Sequence, residues 1–237
     1  MITQYGSQVV MAVLLALHRL RRRIGLARTK DSTIVPHIRN LYAVVADARI
    51  LFRIWGILPM IQWMISMERT PPPNKYLLTL ERLQGWSMVL YCPMEAAAYL
   101  AMHKVINLSD RVQNKLWLWG CRFWLLYVVL QLAHVVEDNR LLRLRSHALE
   151  RTRGHPPPAT TDEKAELSGE QKVTSDIWRD IETRKDALLS ELWVNIGYFP
   201  LTLHWSIETG LISDFWVGVF GSIAALSGMR MGWKACA

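Results

Sequence analysis

The sequence predicts an all-α protein: a membrane-embedded helical bundle with amphipathic helices and about two transmembrane spans. Of its 237 residues, 51% are hydrophobic and 11 are tryptophan, and its basic residues flank long apolar stretches. The formal net charge of +8 suits either nucleic acid or the anionic surface of a membrane. Nucleic-acid-binding proteins usually place basic residues among polar and aromatic ones on one exposed face, so the apolar content favours the membrane and no nucleic-acid partner is expected.

Cysteine usage indicates neither a disulfide framework nor a zinc site. Cys92, Cys121 and Cys236 lie far apart, without CxxC or Cys/His spacing, and a reducing compartment fits this pattern. At the N-terminus, a basic cluster follows the apolar run 9–17. This order is the reverse of that in a secretory signal peptide, so Sec-type export is not predicted.

Residues 9–26 predict a basic amphipathic helix, because apolar side chains recur at helical spacing with arginines on the opposite face. Such a helix lies in the headgroup region, with its apolar face in the acyl boundary and its arginines at lipid phosphates. An ordinary helix packed on a protein core fits this segment equally well. The predicted membrane-inserting face comprises Val10, Val13, Leu14, Leu17, Leu20 and Ile24, and the predicted lipid-phosphate contacts are Arg19, Arg22 and Arg23.

Residues 38–67 and 77–102 predict two further helices with little polar surface, as in helices embedded in a bundle or a bilayer. Pro59 is expected to kink or interrupt the first helix, and Pro93 to break or bend the second. The charged residues of the first helix form a narrow strip that comprises Arg39, Arg49 and Arg53.

Two later stretches are long enough to cross a bilayer. Residues 117–136 number 20 with Arg122 as their only formal charge, which matches a hydrocarbon layer of about 30 Å at about 1.5 Å rise per residue. Residues 211–229 also have the length to span. The first stretch carries predicted interfacial anchors at one end, Trp117, Trp119 and Trp124. Within the second stretch and just beyond it, small residues recur at three- and four-residue steps, a predicted helix-contact face of Gly221, Ala224, Gly228 and Gly232.

Composition divides the chain at a polar linker. Residues 1–145 are assigned to N-terminal amphipathic and membrane helices, 146–174 to a disordered linker, and 175–237 to a C-terminal amphipathic helix with a membrane hairpin or span. Residues 154–172 include three consecutive prolines and almost no large apolar side chain, so burial cannot offset their ordering entropy. Ser175 is a candidate N-cap of the helix that follows.

No residue pattern predicts an active site. His134 with Asp138, and His204 with Glu208, stand four residues apart and suit metal ligands or acid–base couples, but the repeated ExxH pattern of a di-metal bundle is missing. Phosphate loops, nucleophile elbows and kinase signatures are missing too, so neither an enzyme nor a cofactor is predicted. Three ionisable residues in apolar helices mark either a substrate path or buried pairs: Glu95, Arg122 and Asp214.

Two stretches resemble the peroxin eleven (peroxisomal biogenesis factor eleven) family, especially its fungal gamma or C-type-like members. They are LYAVVADARILFRIWGILPMIQW (41–63) and YFPLTLHWSIETGLISDFWVGVFGSIAALSG (198–228), and the order of helices between them agrees. The first stretch carries the resemblance at Arg49, Arg53, Trp55 and Gly56. The second carries it at Pro200, His204, Trp205, Glu208, Gly210, Gly218, Gly221 and Gly228.

The resemblance implies a multi-pass protein of the peroxisomal membrane that promotes peroxisome elongation, proliferation and fission by membrane remodelling. Its implied partners are membrane lipids, further copies of the chain or related family members, and a dynamin-type fission machinery. A pore or transporter for small metabolites is the alternative, motivated by the three ionisable residues in apolar helices and by His204. Members carry a membrane-deforming amphipathic helix ahead of the point where this chain begins, so Met1 is expected to be a shortened or alternative start, and the deforming role is assigned to residues 9–23.

Overall fold

The computed structural model describes residues 1–24, 34–154 and 169–236. In these ranges the chain forms helices joined by turns, without strands, which confirms the all-α prediction. A 3₁₀ turn, Ile54–Gly56, separates the second and third helices. The α-helices are α1 (Ile2–Arg23), α2 (Ile34–Arg53), α3 (Ile57–Arg69), α4 (Lys75–Met102), α5 (Asp110–Arg153), α6 (Gly169–Trp205) and α7 (Asp214–Cys236).

Six of these helices form a closed ring in which neighbours run antiparallel. Gln84 of α4 donates to Gln131 of α5 at 2.9 Å, and Asn74 donates to Glu137 at 3.2 Å, so positions descend along one helix as they ascend along the other. The same order relates α5 to α6, α6 to α7, α7 to α1, α1 to α2 and α2 to α4. Helix α3 packs against α4.

Proline acts differently in the two helices where the sequence predicts a disruption. The ring of Pro59 would clash with the carbonyl of Trp55, four residues earlier, and the 3₁₀ turn stands at that position, so the predicted interruption is confirmed. Helix α4 is not broken at Pro93 and stays helical from end to end. Packing of α4 against α5 along its length offsets the hydrogen bond that Pro93 cannot donate.

The helices on either side of the linker reach further than the sequence predicts. Helix α5 continues to Arg153 and α6 begins at Gly169, so both ends of the predicted linker 146–174 are helical. Ser175 lies inside α6 and is not its N-cap. Residues 155–168 of the predicted linker lie outside the described residues.

Packing between α5 and α6 explains this extension. The indole Nε1 of Trp178 donates to the carbonyl of Gly154 at 3.2 Å, at the point where α5 ends. Burial of a shared apolar stripe stabilises turns that composition alone would leave as linker. The buried side chains of this cluster are Val135, Leu142, Trp178, Ile181 and Leu188.

Helices α6 and α7 form a helical hairpin with a close backbone approach. Helix α6 continues through Pro200 to Trp205, and α7 starts at Asp214 instead of Leu211. A Cβ atom at Gly197 would lie 2.7 Å from the carbonyl oxygen of Phe220 and 2.8 Å from the amide nitrogen of Ala224, so only glycine fits there.

An ionic contact holds the far end of this hairpin. The carboxylate of Asp186 on α6 accepts hydrogen bonds from Arg230, at 2.9 Å, and from Lys234 on α7. The hydrogen bond from Lys234 lowers the pKa of the Asp186 carboxyl, against a smaller opposing effect of burial, and the charges of Arg230 and Lys234 lower it further. The C-terminal turns of α7 are thereby tied to the middle of α6.

The close approach at Gly197 predicts a large effect from one methyl group. Gly197→Ala should lower the free energy of unfolding by about 1–3 kcal/mol, because the added carbon forces α6 and α7 apart. Gly228→Ala is the matched control, since its Cβ meets nothing within 4 Å and the change should leave stability unchanged or slightly higher. Thermal unfolding in mild detergent measures both, and equal stability of the two variants would contradict the packing described.

Candidate functional site

Helix α1 has a buried N-terminal half and an exposed C-terminal half. In the N-terminal half, Gln4, Tyr5 and Ser7 are buried within the ring of helices. The predicted lipid-phosphate contacts Arg19, Arg22 and Arg23 are exposed. The predicted membrane-inserting face is exposed at Val10 (47%), Val13 (44%), Leu17 (46%), Leu20 (53%) and Ile24 (60%), whereas Leu14 is half-buried. This apolar stripe is therefore left open by the rest of the described chain.

The N-terminal half of α1 is held between α2 and α7. The ring of Tyr5 lies directly on Gly221, where a Cβ would overlap it, and the guanidinium carbon of Arg49 lies 5.4 Å from the centre of the same ring. Arg49 also donates to the side-chain oxygen of Gln4, and Gln8 donates to the hydroxyl of Tyr42 at 3.3 Å. These contacts end at Gln8, just before the apolar stripe begins at Val10. The packed N-terminal half of α1 therefore fixes the position from which the exposed half extends.

The predicted helix-contact face of α7 is used in part within the chain. Gly221 receives Tyr5 of α1, and Ala224 abuts Gly197 of α6. Gly228 and Gly232 face open space, with no atom of the described residues within 4 Å of a Cβ built on either. The first half of the face thus packs against α1 and α6, and the second half contacts no other described helix.

A buried ionic cluster joins α2 to α4. Arg53 donates to the carboxylate of Glu95 at 2.7 Å and to the hydroxyl of Tyr91, which itself donates to Glu95 at 2.6 Å. Glu95 is buried and Arg53 is mostly buried, so the two charges compensate each other away from water. Tyr91 and Glu95 stand one helical turn apart on α4, which lets both meet one guanidinium.

Aromatic rings centred on Trp124 surround this cluster. The guanidinium of Arg53 lies 5.5 Å from the Trp124 ring, in cation–π geometry. Trp124 stacks with Tyr91 at 5.8 Å and with Trp205 at 5.7 Å, and it meets Tyr198 at 5.4 Å. The two stretches that carry the family resemblance, one with Arg53 and one with Trp205, therefore meet at Trp124 of α5.

A cavity of about 850 Å³ opens beside these rings. Its lining comes from α1, α2, α4, α5 and the end of α6 with the turn after it, so it lies inside the ring of helices. The ionisable side chains that line it, apart from Tyr5 and Tyr91, are Arg49, Arg53, Glu95, Arg111, Lys115 and Glu208, with Cys121 beside them. Both predicted family-motif arginines, Arg49 and Arg53, thus line an open cavity.

The second family stretch shapes the turn between α6 and α7. His204 Nδ1 accepts hydrogen bonds from the backbone amides of Leu211, at 2.8 Å, and Ile212, at 3.1 Å. Gly210 has φ of +65°, and a Cβ there would lie 2.6 Å from His204 Cε1, so the turn requires glycine. Because α6 ends at Trp205, His204 and Glu208 do not share a helical face.

The other residues singled out in the sequence take separate partners. His134 Nε2 lies 3.1 Å from Glu81, whereas Asp138 pairs with Arg184, so the proposed His134–Asp138 couple is not formed. Among the described residues, no three His, Cys, Asp or Glu side chains cluster as metal ligands. Arg122 donates to the carbonyl of Ser206 at 3.4 Å.

Further motif residues occupy surface and terminal positions. Trp55 is 69% exposed, and Gly56 lies in the 3₁₀ turn. Asp214 is the first residue of α7, where the helix dipole favours a negative charge. The prediction that Trp124 is an interfacial anchor is wrong, because its ring lies among Tyr91, Tyr198 and Trp205 instead of facing outward.

Sequence reasoning did not identify Tyr5, Tyr91 or Trp124 as part of this site. The spacing of Tyr91 and Glu95 on one face of α4 was a usable signal for the pair. No comparable signal exists for Tyr5 and Trp124, because their partners lie on helices distant in sequence.

Helix α5 is the candidate membrane span. In the described part of the chain it is the one helix long and apolar enough to cross a membrane, and it contains the predicted span 117–136. Only 11% of its most apolar stretch is buried by the other helices, unlike the core helix of a soluble protein. The second predicted span, 211–229, does not meet the same criterion as α7, so two spans are not established.

The buried ionic cluster predicts that Arg53 contributes much more than the exposed Arg82 to the free energy of unfolding. Arg53→Met should lower the free energy of unfolding by about 3 kcal/mol, because it leaves the Glu95 charge buried without its partner. Glu95→Gln in the same chain should restore part of this loss. Arg82→Met, which breaks the exposed pair with Glu68, is the control and should have little effect. Chemical unfolding in detergent tests this, and equal losses for Arg53 and Arg82 would contradict it.

Comparison with known proteins confirms the family resemblance that the two stretches carry. A profile of the family described as peroxisomal biogenesis factor 11 (PEX11) matches residues 2–233. A Schizosaccharomyces pombe protein described as uncharacterised is 22% identical over 188 residues, which cover 79% of this chain and 72% of that protein. No solved structure matches the chain. The family is one of biogenesis factors of the peroxisome and not a known enzyme family, and it associates the chain with the peroxisomal membrane. Because the match covers nearly the whole sequence, this protein belongs to the peroxisomal biogenesis factor 11 family.

Proposed function

We propose that this protein promotes elongation, proliferation and fission of peroxisomes by remodelling their membrane, and that α1 is the element that enters the lipid. The observation that carries the proposal is the apolar stripe from Val10 to Ile24, which the described chain leaves exposed. Three exposed arginines lie on the opposite face of the same helix. A helix with this division of surface lies in the interface between headgroups and acyl chains.

The physical mechanism is a wedge in one leaflet. A helix inserted at the headgroup boundary expands the area of that leaflet alone, which favours positive curvature. Arg19, Arg22 and Arg23 add attraction to anionic lipid, which acts over about a Debye length from the surface. The contact of Tyr5 with Gly221 supports this mechanism, since it attaches the inserted helix α1 to α7 and through it to the other helices.

Attachment to the membrane is assigned to α5. Its apolar stretch is mostly uncovered by other helices, as a lipid-facing span requires. A multi-pass topology would use the α6–α7 hairpin as the second membrane element, with both chain ends on one side. Self-association would use the half of the α7 face that is open, at Gly228 and Gly232, since small residues let membrane helices approach closely. A dynamin-type fission machinery would then act on the elongated membrane.

The pore alternative has less support from the positions of its residues. Glu95 is compensated by Arg53, Arg122 bonds to the carbonyl of Ser206, and His204 caps the turn before α7. Asp214 is exposed at the start of α7. These four groups thus take part in separate local contacts instead of one shared polar site.

The test is tubulation of anionic liposomes that contain the full chain. Leu17→Glu with Leu20→Glu places two charges in the stripe at exposed positions, where they do not disturb packing within the ring. Each change should remove about 1.5–3 kcal/mol of apolar insertion energy, so the double variant should stop tubulating. Both forms should still resist extraction by alkaline carbonate, because α5 is unchanged.

Thr152→Glu with Thr183→Glu is the charge-matched control, since both threonines are exposed and lie far from α1. This control should tubulate like the unaltered chain. If the unaltered chain stays embedded and yet bends no vesicles, the wedge mechanism fails. If the control loses tubulation as fully as the stripe variant, added charge and not the stripe is responsible.

A further inference from the structure

The cavity inside the ring holds more positive than negative charge. Arg53 and Glu95 compensate each other at 2.7 Å. Arg49, Arg111 and Lys115 also line the cavity, and none of the three forms an ion pair with a carboxylate of the described residues. Glu208 is the one further acid in the lining, and it too has no cationic partner among the described residues. The cavity thus presents three cations against one carboxylate.

Arg49 lines this space and is held in place by contacts with α1. It donates to the amide oxygen of Gln4 and lies 5.4 Å above the Tyr5 ring, contacts that orient a planar fork without neutralising it. A guanidinium with free N–H donors suits phosphate better than a compact ammonium does, because two parallel N–H groups match two phosphate oxygens. Arg111 and Lys115 are exposed, one helical turn apart at the start of α5, where an anion can reach them.

The cavity has the dimensions and polarity of an amphiphile. Its lining on α5 extends from Arg111 to Trp124, 13 positions or about 20 Å of helix. Arg111 and Lys115 stand at the outer end, and the inner part is walled by Trp117, Trp124 and Trp205, with Arg49 beside Tyr5 and Arg53 beside Trp124. If α5 crosses the bilayer over residues 117–136, the cationic end lies at the depth of lipid phosphates and the aromatic part at the depth of acyl chains.

We infer that this cavity binds the phosphate headgroup of one anionic phospholipid, with Arg111 and Lys115 as the phosphate-binding residues at its outer end, Arg49 as a further cation inside it, and the tryptophans as the wall for the start of an acyl chain. The inference rests on the membrane span proposed for α5, but not on the wedge proposed for α1. A bound lipid would reduce the excess charge of the cavity and contact α1, α2 and α5, which all contribute to its lining. The phosphate chemistry is shared with soluble phosphates, so the source of the phosphate must be tested.

The experiment is native mass spectrometry of the full chain in mild detergent, titrated with dioctanoyl phosphatidylglycerol. One lipid should bind per chain, more tightly than dioctanoyl phosphatidylcholine. Arg111→Gln with Lys115→Gln should weaken binding about tenfold. These exposed positions in the first two turns of α5 should tolerate the change, because the helix dipole disfavours cations there. Arg143→Gln with Arg151→Gln, exposed at the opposite end of α5, is the charge-matched control and should bind like the unaltered chain.

A second variant tests the cavity without changing charge. Ala46 lines the cavity, so Ala46→Phe should weaken binding by occupying the space, provided that the circular dichroism of the variant is unchanged. Equal weakening by the Arg143/Arg151 control, or equal affinity for phosphatidylcholine, would overturn the inference. If inorganic phosphate binds as tightly as the lipid, the inference that the ligand is a phospholipid is wrong. The Leu17/Leu20 stripe variant should bind the lipid normally, so failure of the wedge and failure of the cavity site are distinguishable.

Discussion

The ion pair between Arg53 and Glu95 is the contact on which the ring of helices depends. It lies beneath Trp124, and with Tyr91 it connects α2, α4 and α5 at a single point. Two charges withdrawn from water are tolerated only when their geometry satisfies both, and the Tyr91 hydroxyl completes that geometry. The stacked rings of Trp205 and Tyr198 then bring α6 to the same point. Four helices are therefore positioned by one compensated pair and its aromatic surroundings.

Small residues close the ring on its other side. Gly197 lets α6 meet the backbone of α7, and Gly221 lets α7 receive Tyr5 of α1. Tyr5 in turn lies against Arg49, one helical turn from Arg53. The position of α1 is thus linked through α7 and α2 to the ionic cluster, and a disturbance at either glycine reaches the base of the exposed stripe.

Sequence patterns within a few helical turns predicted the helices, but they did not predict the helix ends and contacts that depend on packing between distant helices. The interruption at Pro59 follows from a clash within one helical turn, so the sequence is sufficient. The ends of α5 and α6 extend into a polar stretch because Trp178 and its neighbours bury a shared stripe, which composition cannot reveal. At the site, two motif arginines and Trp205 were identified, but their meeting at Trp124 depends on which helices are neighbours. The sequence offered Trp124 only as one of three tryptophans near a helix end.

The distribution of charge over the surface separates α1 from the rest of the ring. Arg53, the last residue of α2, faces inward to Glu95, while Phe52 of α2 and Trp55 of the 3₁₀ turn are 74% and 69% exposed, an arrangement that suits surroundings of lipid and not of water. The exposed half of α1 carries apolar and cationic side chains together on its surface, which suits neither hydrocarbon nor water alone. In the function proposed above, the two parts would lie at different depths in a membrane. Because Tyr5 fixes α1 to the neighbouring helices, the depth of the ring would set the depth at which the stripe meets the lipid, and an anchored bundle would in this way direct a wedge into one leaflet.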